Sequence, residues 1–217
     1  MPIAACEDLI MNETLALLFQ NVPVIPVAVI KSLDEVIPMM TALKQGGIMA
    51  VEITFRSACA ADAIALAKKT FPDMTVGAGT ILDKAQAEEA LAAGASFLVS
   101  PGLSEEVARL CIEREIPYLP GCVTPTEIMK ARSLGLSVVK FFPADVYGGL
   151  SAIKALSAPF PSLRFMPTGG IDLHNLQEYL AFDKVAAVGG SFLLKGDIEA
   201  NCQKALSIAS AAKGDKT

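Results

Sequence analysis

Lys140 lies in the middle of the apolar run SVVKFFP, at residues 137–143. Burial disfavours the charged form of an amine, and a neutral amine is a nucleophile toward carbonyl carbons. The stem of a lysine can also pack in such a run while its ammonium group extends to water. The run therefore allows either imine chemistry or an ordinary packing role at this position.

A second apolar run, VEITFR at residues 51–56, carries a carboxylate and a guanidinium group. Strand alternation would place Glu52, Thr54 and Arg56 on one face. Glu52 is a candidate general acid/base, and it could equally neutralise Lys140. Arg56 could be a rim charge, or it could bind a carboxylate or phosphate through its fork of donors.

Glycine pairs follow two later apolar segments. Gly169-Gly170 comes after LRFMPT, and Gly189-Gly190 precedes Ser191. In α/β barrels, backbone N–H groups at such positions bind phosphate. Turns also use glycine freely, so each pair alone is weak evidence and the two together indicate an anion site.

The histidine and cysteine content limits the other chemistries. His174 is the only histidine, so neither a multi-histidine zinc site nor a histidine-activated nucleophile is expected. Cys122 has no basic partner evident in the sequence, which predicts an inert buried thiol. The five cysteines are scattered without a CxxC motif, which predicts reduced thiols in the cytoplasm. No metal and no other cofactor is predicted.

Charge and hydropathy exclude several classes of partner. The net charge is −5 without a basic cluster, so nucleic acid is not expected as a partner. No apolar run approaches the ~18 residues that cross a membrane, and the first 20 residues lack the features of a signal peptide. Charged residues make up 19%, below the usual ~25%, which predicts apolar surface in a subunit interface.

Eight β-rich segments alternate with amphipathic helical ones and must position these side chains. Their predicted starts are 20 to 27 residues apart, near positions 24, 48, 74, 96, 116, 136, 163 and 184. Each interval fits one strand, one loop and one helix, so the sequence predicts an α/β fold, a closed (β/α)8 TIM barrel. A doubly wound open sheet is the alternative, but no GxGxxG motif follows the first strand.

A single domain is predicted over residues 1–217. It consists of an N-terminal helix at 8–20, the barrel at 24–191, and a C-terminal helix and tail at 192–217. Capping signals predict helix starts: capping boxes in SLDE at 32–35 and TPTE at 124–127, and N-caps at Asp83, Ser104 and Asp172.

The motifs resemble, in order, those of the 2-keto-3-deoxy-6-phosphogluconate (KDPG) aldolases, which often also act on 4-hydroxy-2-oxoglutarate (KHG). The similarity extends from about residue 22 to residue 191. The matching segments are EITFR at 52–56, GAGT at 77–80, SPG at 100–102, PGCVTPTE at 120–127, KFFPA at 140–144 and PTGGI at 167–171. The Lys-Phe-Phe-Pro and Glu-x-Thr-x-Arg elements are the most specific.

The resemblance implies a class I (Schiff-base) aldolase, usually a homotrimer. It would cleave KDPG to pyruvate and glyceraldehyde 3-phosphate, and KHG to pyruvate and glyoxylate. The imine-forming lysine would be Lys140, and the general acid/base would be Glu52.

The same resemblance implies the substrate-binding residues. Arg56 and Thr80 match contacts to the pyruvate carboxylate, and Phe142 and Thr168 match positions that line the pocket. The phosphate site would comprise Gly169, Gly170, Gly190 and Ser191. No function is carried onto the segment after Ser191.

Three other functions remain open. A phosphogalactonate-type aldolase would use the same lysine chemistry. An isomerase or epimerase on a phosphate-binding barrel would form no imine with its substrate. A non-catalytic phosphosugar-binding barrel would leave a buried lysine and glutamate unexplained.

Overall fold

The computed structural model describes residue 19 and residues 22–214, in which eight parallel strands alternate with helices. The strands are β1 (Val24–Ala28), β2 (Ala50–Thr54), β3 (Thr75–Gly79), β4 (Leu98–Val99), β5 (Tyr118–Leu119), β6 (Val138–Phe141), β7 (Arg164–Pro167) and β8 (Val188–Gly190). The helices are α1 (Val36–Gln45), α2 (Ala60–Thr70), α3 (Lys84–Ala92), α4 (Glu105–Glu113), α5 (Pro125–Ser133), α6 (Gly149–Ser157), α7 (Leu176–Ala181) and α8 (Ile198–Gly214). Two 3₁₀ turns, Leu33–Glu35 and Phe192–Leu194, precede α1 and α8.

Parallel pairing closes the strands into a ring. One sheet has the order β5-β4-β3-β2-β1-β8, and β6 and β7 form a second pair. A bridge between Gly121 and Lys140 joins this pair to the β5 side, and bridges from Phe165 to Val185 and from Thr168 to Gly189 join it to the β8 side. The barrel prediction is confirmed, and the open doubly wound sheet is wrong because no side of the ring is left open.

The observed strands begin zero to four residues after the predicted starts. The main difference is that β4 and β5 are only two residues long. Pro117 and Pro120 flank β5, and a proline cannot donate to the strand ladder. The regular strand is therefore confined to Tyr118–Leu119, although the carbonyl oxygens of the two prolines still accept from Leu98 and Lys140.

Alternate residues of each strand face two different cores. Outward-facing side chains such as Val51, Val76 and Val139 pack against the surrounding helices. Inward-facing side chains at the amino-terminal half of the barrel form a second, separate cluster, here called the floor cluster: Phe19, Val22, Ile25, Ala50, Phe97, Val99, Leu119, Val138, Met166, Ala186 and Ala187.

Gly77 shows how tightly the floor cluster is packed. A Cβ atom at this position of β3 would lie 2.2 Å from Cζ of Phe97. Phe97 is only 1% exposed, and its ring occupies the space that any other residue at position 77 would need. The first glycine of the GAGT segment is therefore a packing requirement.

The capping predictions have mixed outcomes. The Thr124 capping box forms, with Glu127 accepting from the Thr124 N–H at 2.9 Å, and Asp83 and Ser104 cap α3 and α4. The SLDE capping box is wrong, because the Ser32 hydroxyl donates to the Asp34 carboxylate instead.

Asp172 is also not the N-cap of α7. That helix begins at Leu176 with Asn175 as its N-cap. Oδ1 of Asp172 instead accepts from the N–H groups of His174 at 2.8 Å and Asn175 at 3.4 Å, so it closes the turn before the helix.

The chain ends beyond the barrel are only partly described. The predicted helix at 8–20 lies outside the described residues except for Phe19, which belongs to the floor cluster. Helix α8 falls within the predicted C-terminal segment, and the division into one domain over 1–217 stays a prediction. Within residues 22–214 no helix is both long enough and apolar enough to cross a membrane.

Candidate active site

A buried ion pair crosses the barrel interior just above the floor cluster. Nζ of Lys140, on β6, donates to Oε1 of Glu52, on β2, at 3.4 Å. Glu52 is 0% exposed and Lys140 is 4% exposed. Removing two such charges from water costs several kcal/mol per ion, so the pair is not explained by stability alone.

Glu52 has an unused oxygen. Its Oε2 atom is buried and has no hydrogen-bond partner among the described residues. A buried carboxylate oxygen without a donor is expensive to maintain unless a ligand or a mobile proton completes it. The arrangement therefore suits a carboxylate that takes up and releases a proton beside the amine.

Gly79 makes the position of Glu52 possible. This residue ends β3, and a Cβ atom there would lie 1.9 Å from Oε1 of Glu52. Only glycine leaves room for the carboxylate in this orientation. The two glycines of GAGT thus do different things: Gly77 admits the Phe97 ring, and Gly79 admits the acid.

The ring of Phe142 covers the amine from the adjacent loop. Its centroid lies 5.1 Å from Nζ of Lys140, within the range of a cation–π contact. Phe142 is half-buried and lines the cavity at the barrel mouth. The ring therefore limits access of water to Nζ from that side.

Arg56 and Thr80 contact each other at the rim of the same mouth. Nε of Arg56 donates to Oγ1 of Thr80 at 3.0 Å. Strand β2 ends at Thr54, so Arg56 reaches the mouth from the following turn, and the prediction that it continues the strand face is wrong. The terminal guanidinium nitrogens donate to none of the described residues, so they are available for an anion.

Thr80 has a strained backbone. Its φ is +57°, in the left-handed region that β-branched residues rarely adopt. Such conformations cost of the order of 1–3 kcal/mol and occur where the surroundings enforce them. Here the strain coincides with the hydroxyl that holds the Arg56 side chain.

The hydroxyl group of Thr54 has a hydrogen-bond partner, whereas that of Thr168 has none among the described residues. The Thr54 hydroxyl donates to the carbonyl oxygen of Ala28 at 2.9 Å, so it links β2 to β1. Oγ1 of Thr168 is buried and has no partner among the residues described. A Cβ atom at Gly189, within β8, would lie 2.3 Å from this oxygen, so the glycine leaves room for the hydroxyl.

A cavity of about 410 Å³ opens at the carboxyl ends of the strands. Eight of the ten predicted site residues line it, and the other two, Glu52 and Thr80, contact Lys140 and Arg56. The lining residues are Val27, Val29, Arg56, Lys140, Phe142, Thr168, Gly169, Gly170, Ile171, Asp172, Gly190, Ser191, Phe192 and Lys195.

The two glycine-containing loops form one wall of this cavity. Gly169 and Gly170 have φ of +95° and +69°, which favours glycine at both positions. The N–H of Gly170, and both the N–H and the hydroxyl of Ser191, donate to none of the described residues. This wall presents free donors to the cavity and suits an anion.

Sequence reasoning missed six of the lining residues: Val27, Val29, Ile171, Asp172, Phe192 and Lys195. Val27 shares the inward face of β1 with Ile25, which alternation could have shown. Lys195 has a weaker signal, a single cation five residues after the second glycine pair.

Cys122 takes no part in the cavity. Burial, with a smaller contribution from the Glu127 carboxylate, raises the pKa of its thiol to about 12. The thiol stays protonated and inert at neutral pH, as the sequence predicts. Among the described residues no group of histidine, cysteine or carboxylate side chains could hold a metal ion.

Known proteins resemble this chain over most of its length. The family described as "Aldolase: KDPG and KHG aldolase" matches residues 16–207. The 2-dehydro-3-deoxy-phosphogluconate aldolase of Treponema pallidum is 45% identical over 175 residues, which cover 81% of this chain and 83% of that protein. The KHG/KDPG aldolase of Escherichia coli is also 45% identical over 175 residues, covering 81% and 82%.

A solved structure agrees with these matches. The KDPG aldolase of Legionella pneumophila, with pyruvate captured as a covalent carbinolamine intermediate, is 39% identical. It superimposes with a TM-score of 0.82 and covers 91% of this chain and 97% of that one.

Proposed function

The chain belongs to the KDPG and KHG aldolase family, and from this premise we propose that it cleaves KDPG to pyruvate and glyceraldehyde 3-phosphate, and KHG to pyruvate and glyoxylate. The reaction is that of a class I aldolase, a carbon–carbon lyase that works through a Schiff base. The observation that carries the proposal is the buried contact between Nζ of Lys140 and Oε1 of Glu52 at the base of the cavity.

Imine formation begins when Glu52 takes a proton from the ammonium group of Lys140 and the resulting neutral amine attacks the ketone carbon, C2, of the substrate. The resulting carbinolamine loses water, and the product is a protonated imine. Glu52 moves the protons between nitrogen and oxygen during these steps, and its partnerless Oε2 has a free acceptor position for this work.

Carbon–carbon cleavage uses the imine as an electron sink. Glu52 takes the proton of the C4 hydroxyl, the bond between C3 and C4 breaks, and its electron pair moves through C3 to the imine nitrogen. The aldehyde leaves, and an enamine remains on Lys140. Protonation at C3 and hydrolysis of the imine then release pyruvate and restore the amine.

Two further groups orient the substrate. Arg56 binds the C1 carboxylate with its terminal nitrogens, while its Nε bond to Thr80 fixes the plane of the guanidinium. The free donors of Gly170 and Ser191 bind the distal phosphate, and Gly169 and Gly190 form the wall that brings them close to it. Positioning both ends holds C2 against Nζ, and such fixed geometry contributes strongly to the rate.

Trapping with pyruvate and borohydride tests the imine. We expect inactivation and one 1-carboxyethyl group on Nζ of Lys140, located by peptide mass mapping. Lys140→Arg should show neither, because a guanidinium stays protonated and forms no imine. Lys184→Arg, on a partly exposed lysine outside the cavity, is the matched control and should react as the wild type does. Modification of another lysine with Lys140 intact would overturn the assignment.

Ser191→Asp tests the phosphate site. A carboxylate beside the phosphate should lower kcat/KM for KDPG by about one to two orders of magnitude, because like charges ~4 Å apart repel by a few kcal/mol at an effective dielectric near 20. KHG has no phosphate, so its kcat/KM should change far less. Equal losses on both substrates would mean general damage to the mouth.

A homotrimer is proposed for the assembly. Its support is the low charged fraction, 19%, together with large apolar side chains that are exposed on the single chain, among them Leu82, Met129 and Val146. Light scattering after gel filtration should give three times the chain mass of 22.7 kDa. A value equal to the chain mass would contradict the proposal.

The cytoplasm is proposed as the location, and small keto acids as the only partners of the site. The four described cysteines, Cys59, Cys111, Cys122 and Cys202, are all free thiols, which suits a reducing compartment.

A further inference from the structure

Lys195 lines the active-site cavity although it lies after Ser191, in a segment with no predicted function. It follows the 3₁₀ turn Phe192–Leu194, which comes directly after Ser191. Its side chain is exposed and borders the same cavity as Lys140 and Arg56. The cavity therefore has three cationic side chains around it, and the Schiff-base chemistry and the carboxylate contact use only two.

The backbone at Lys195 is fixed by the next helix. Nδ2 of Asn201, in α8, donates to the carbonyl oxygen of Lys195 at 2.6 Å and to that of Leu193 at 3.4 Å. Oδ1 of Asp197 accepts from the N–H of Ala200 at 3.0 Å and so closes the first turn of α8. These bonds hold the base of the Lys195 side chain at a defined place beside the glycine-rich wall.

The ammonium group of Lys195 has no carboxylate partner in the part of the chain that the structure describes. No described aspartate or glutamate oxygen lies within 4.0 Å of its Nζ. The two carboxylates nearest to consider are Asp172, which lines the cavity, and Asp197, two residues along the chain. Each uses its Oδ1 atom to accept backbone N–H groups. The cation is therefore free to pair with an anion that enters the cavity.

The position of Lys195 selects which end of the substrate it meets. The carboxylate and ketone of the substrate belong at Arg56 and Lys140. Lys195 comes from the segment after β8, which follows Gly190 directly and also contains Ser191. A lysine has a point charge on a flexible stem, so it pairs well with a dianionic phosphate. It lacks the planar fork of donors with which an arginine binds a carboxylate.

We propose that Lys195 is a specificity-determining residue, a side-chain cation that pairs with the distal phosphate and favours KDPG over the shorter KHG. The inference rests on the proposed function and extends the phosphate site beyond its backbone donors and Ser191. Lys195 takes part in no proton transfer, so it should affect how the phosphorylated substrate binds and leave the imine chemistry alone.

Lys195→Met tests the proposal with both substrates. It removes the charge and keeps an unbranched apolar stem. We expect kcat/KM for KDPG to fall about tenfold, mainly through KM, because a charge-assisted contact to phosphate is lost. For KHG, kcat/KM should stay within about twofold, and trapping of pyruvate on Lys140 should be unchanged. Lys195→Arg should recover most of the KDPG loss, since it restores the charge.

A matched control comes from α8. Lys204 is exposed, has no ion pair among the described residues and does not line the cavity. Lys204→Met changes the net charge by the same amount, so it should leave the ratio of the two kcat/KM values at the wild-type value. A fall in the ratio for Lys204→Met as large as for Lys195→Met would overturn the proposal, because general charge would then explain it.

A double variant separates phosphate binding from neutralisation of Asp172. If Lys195 only offsets that carboxylate across the cavity, Lys195→Met in an Asp172→Asn background should have no further effect on KDPG. If it binds the phosphate, the loss on KDPG should persist in that background. Inorganic phosphate, added as an inhibitor of KHG cleavage, should also bind more weakly to Lys195→Met than to the wild type.

The outcomes distinguish the two proposals. Equal losses on KDPG and KHG, or no loss on either, would overturn the role of Lys195 while pyruvate trapping at Lys140 still supports the aldolase. A wild-type protein that cleaves neither substrate and traps no pyruvate would overturn the proposed function itself.

Discussion

The barrel interior has two halves, and they differ in almost every physical respect. Val138, Ala50 and Met166 belong to the floor cluster and are apolar and tightly packed. Two residues further along the chain in each case, Lys140, Glu52 and Thr168 are buried on the mouth side. These polar groups are as buried as the apolar ones, yet two of their oxygens lack hydrogen-bond partners among the residues described.

The two halves therefore have different functions: the floor cluster stabilises the fold, and the mouth half carries the groups for catalysis. The floor cluster removes apolar area from water, which stabilises the fold by about 25 cal/mol per Å². The mouth half contributes buried charges and a strained Thr80, which oppose folding. A distance of two residues along the chain is enough to pass from the stabilising half to the half that carries the catalytic groups.

Glu52→Gln should give the largest effect on the mouth half. The amide has a similar shape and no proton to exchange, so kcat should fall by about two to four orders of magnitude. Borohydride should still trap pyruvate on Lys140, more slowly. Val138→Ala, in the floor cluster, is the counterpart: it should lower stability by about 1–3 kcal/mol and leave kcat within about twofold. A nearly normal kcat for Glu52→Gln would reduce Glu52 to a counter-ion.

Gly77 and Gly79 lie on the same face of β3, one beside the floor cluster and one beside Glu52. The same change, glycine to alanine, can therefore be made in each half of the barrel. Gly79→Ala places a methyl group against Oε1 of Glu52, so the carboxylate must turn away, and kcat should fall about a hundredfold. Gly77→Ala places it against the Phe97 ring, so stability should fall by about 1–3 kcal/mol through overpacking, with kcat per folded molecule retained. Steady-state kinetics give kcat for both variants, and urea unfolding gives their free energies of unfolding. If both lost mainly activity, the two halves would not be separable.

Thr80→Gly should show a moderate effect on binding. Glycine tolerates the φ of +57° but has no hydroxyl for Nε of Arg56, so KM for KDPG should rise several-fold while stability changes by no more than ~1 kcal/mol. Glu115→Gly is the control, because Glu115 has φ of +55° outside the cavity. It relieves the same kind of backbone strain away from the site, so KM should be unchanged. An unchanged KM in Thr80→Gly would make the strain incidental.

Buried ionisable groups outside the barrel interior should show only a pH effect on stability. Burial raises the pKa of the Cys111 and Cys122 thiols from 9.0 to about 12. The unfolded chain therefore loses these protons first, so stability is constant below pH ~9 and falls as pH rises toward ~12. At pH 10 the loss should be about 1 kcal/mol per thiol. Urea midpoints at pH 8 and pH 10 measure it, and Cys122→Ala should reduce the difference. An equal alkaline loss in that variant would contradict the assignment.

The fold was predictable because its periodicities are strong. Eight strand–helix repeats and the position of Lys140 within SVVKFFP gave the barrel and its central lysine. Strand alternation also placed Glu52 correctly on the inward face. These inferences need only local patterns, which is why a single sequence suffices for them.

The rest of the site depends on contacts that no local pattern contains. Arg56 lies in a turn beyond β2, so its position depends on the bond to Thr80. Gly79 is required only because Glu52, 27 residues earlier, needs its space. Lys195 joins the cavity through the 3₁₀ turn and Asn201, and neither contact is visible from periodicity.

The seams of the ring divide the catalytic groups between two sets of strands. Lys140 lies on β6 and Thr168 directly follows β7, whereas Glu52, Arg56 and Thr80 belong to the six-stranded sheet or the turns that follow it. Isolated bridges join the two sets, while continuous ladders run within each. Lys140 itself crosses one of these seams: its N–H donates to the carbonyl oxygen of Pro120 at 2.8 Å, and its own carbonyl oxygen accepts from the N–H of Cys122 at 2.9 Å. The amine and the acid that exchange protons therefore belong to different ladders, and the backbone bonds of the lysine itself set their 3.4 Å separation.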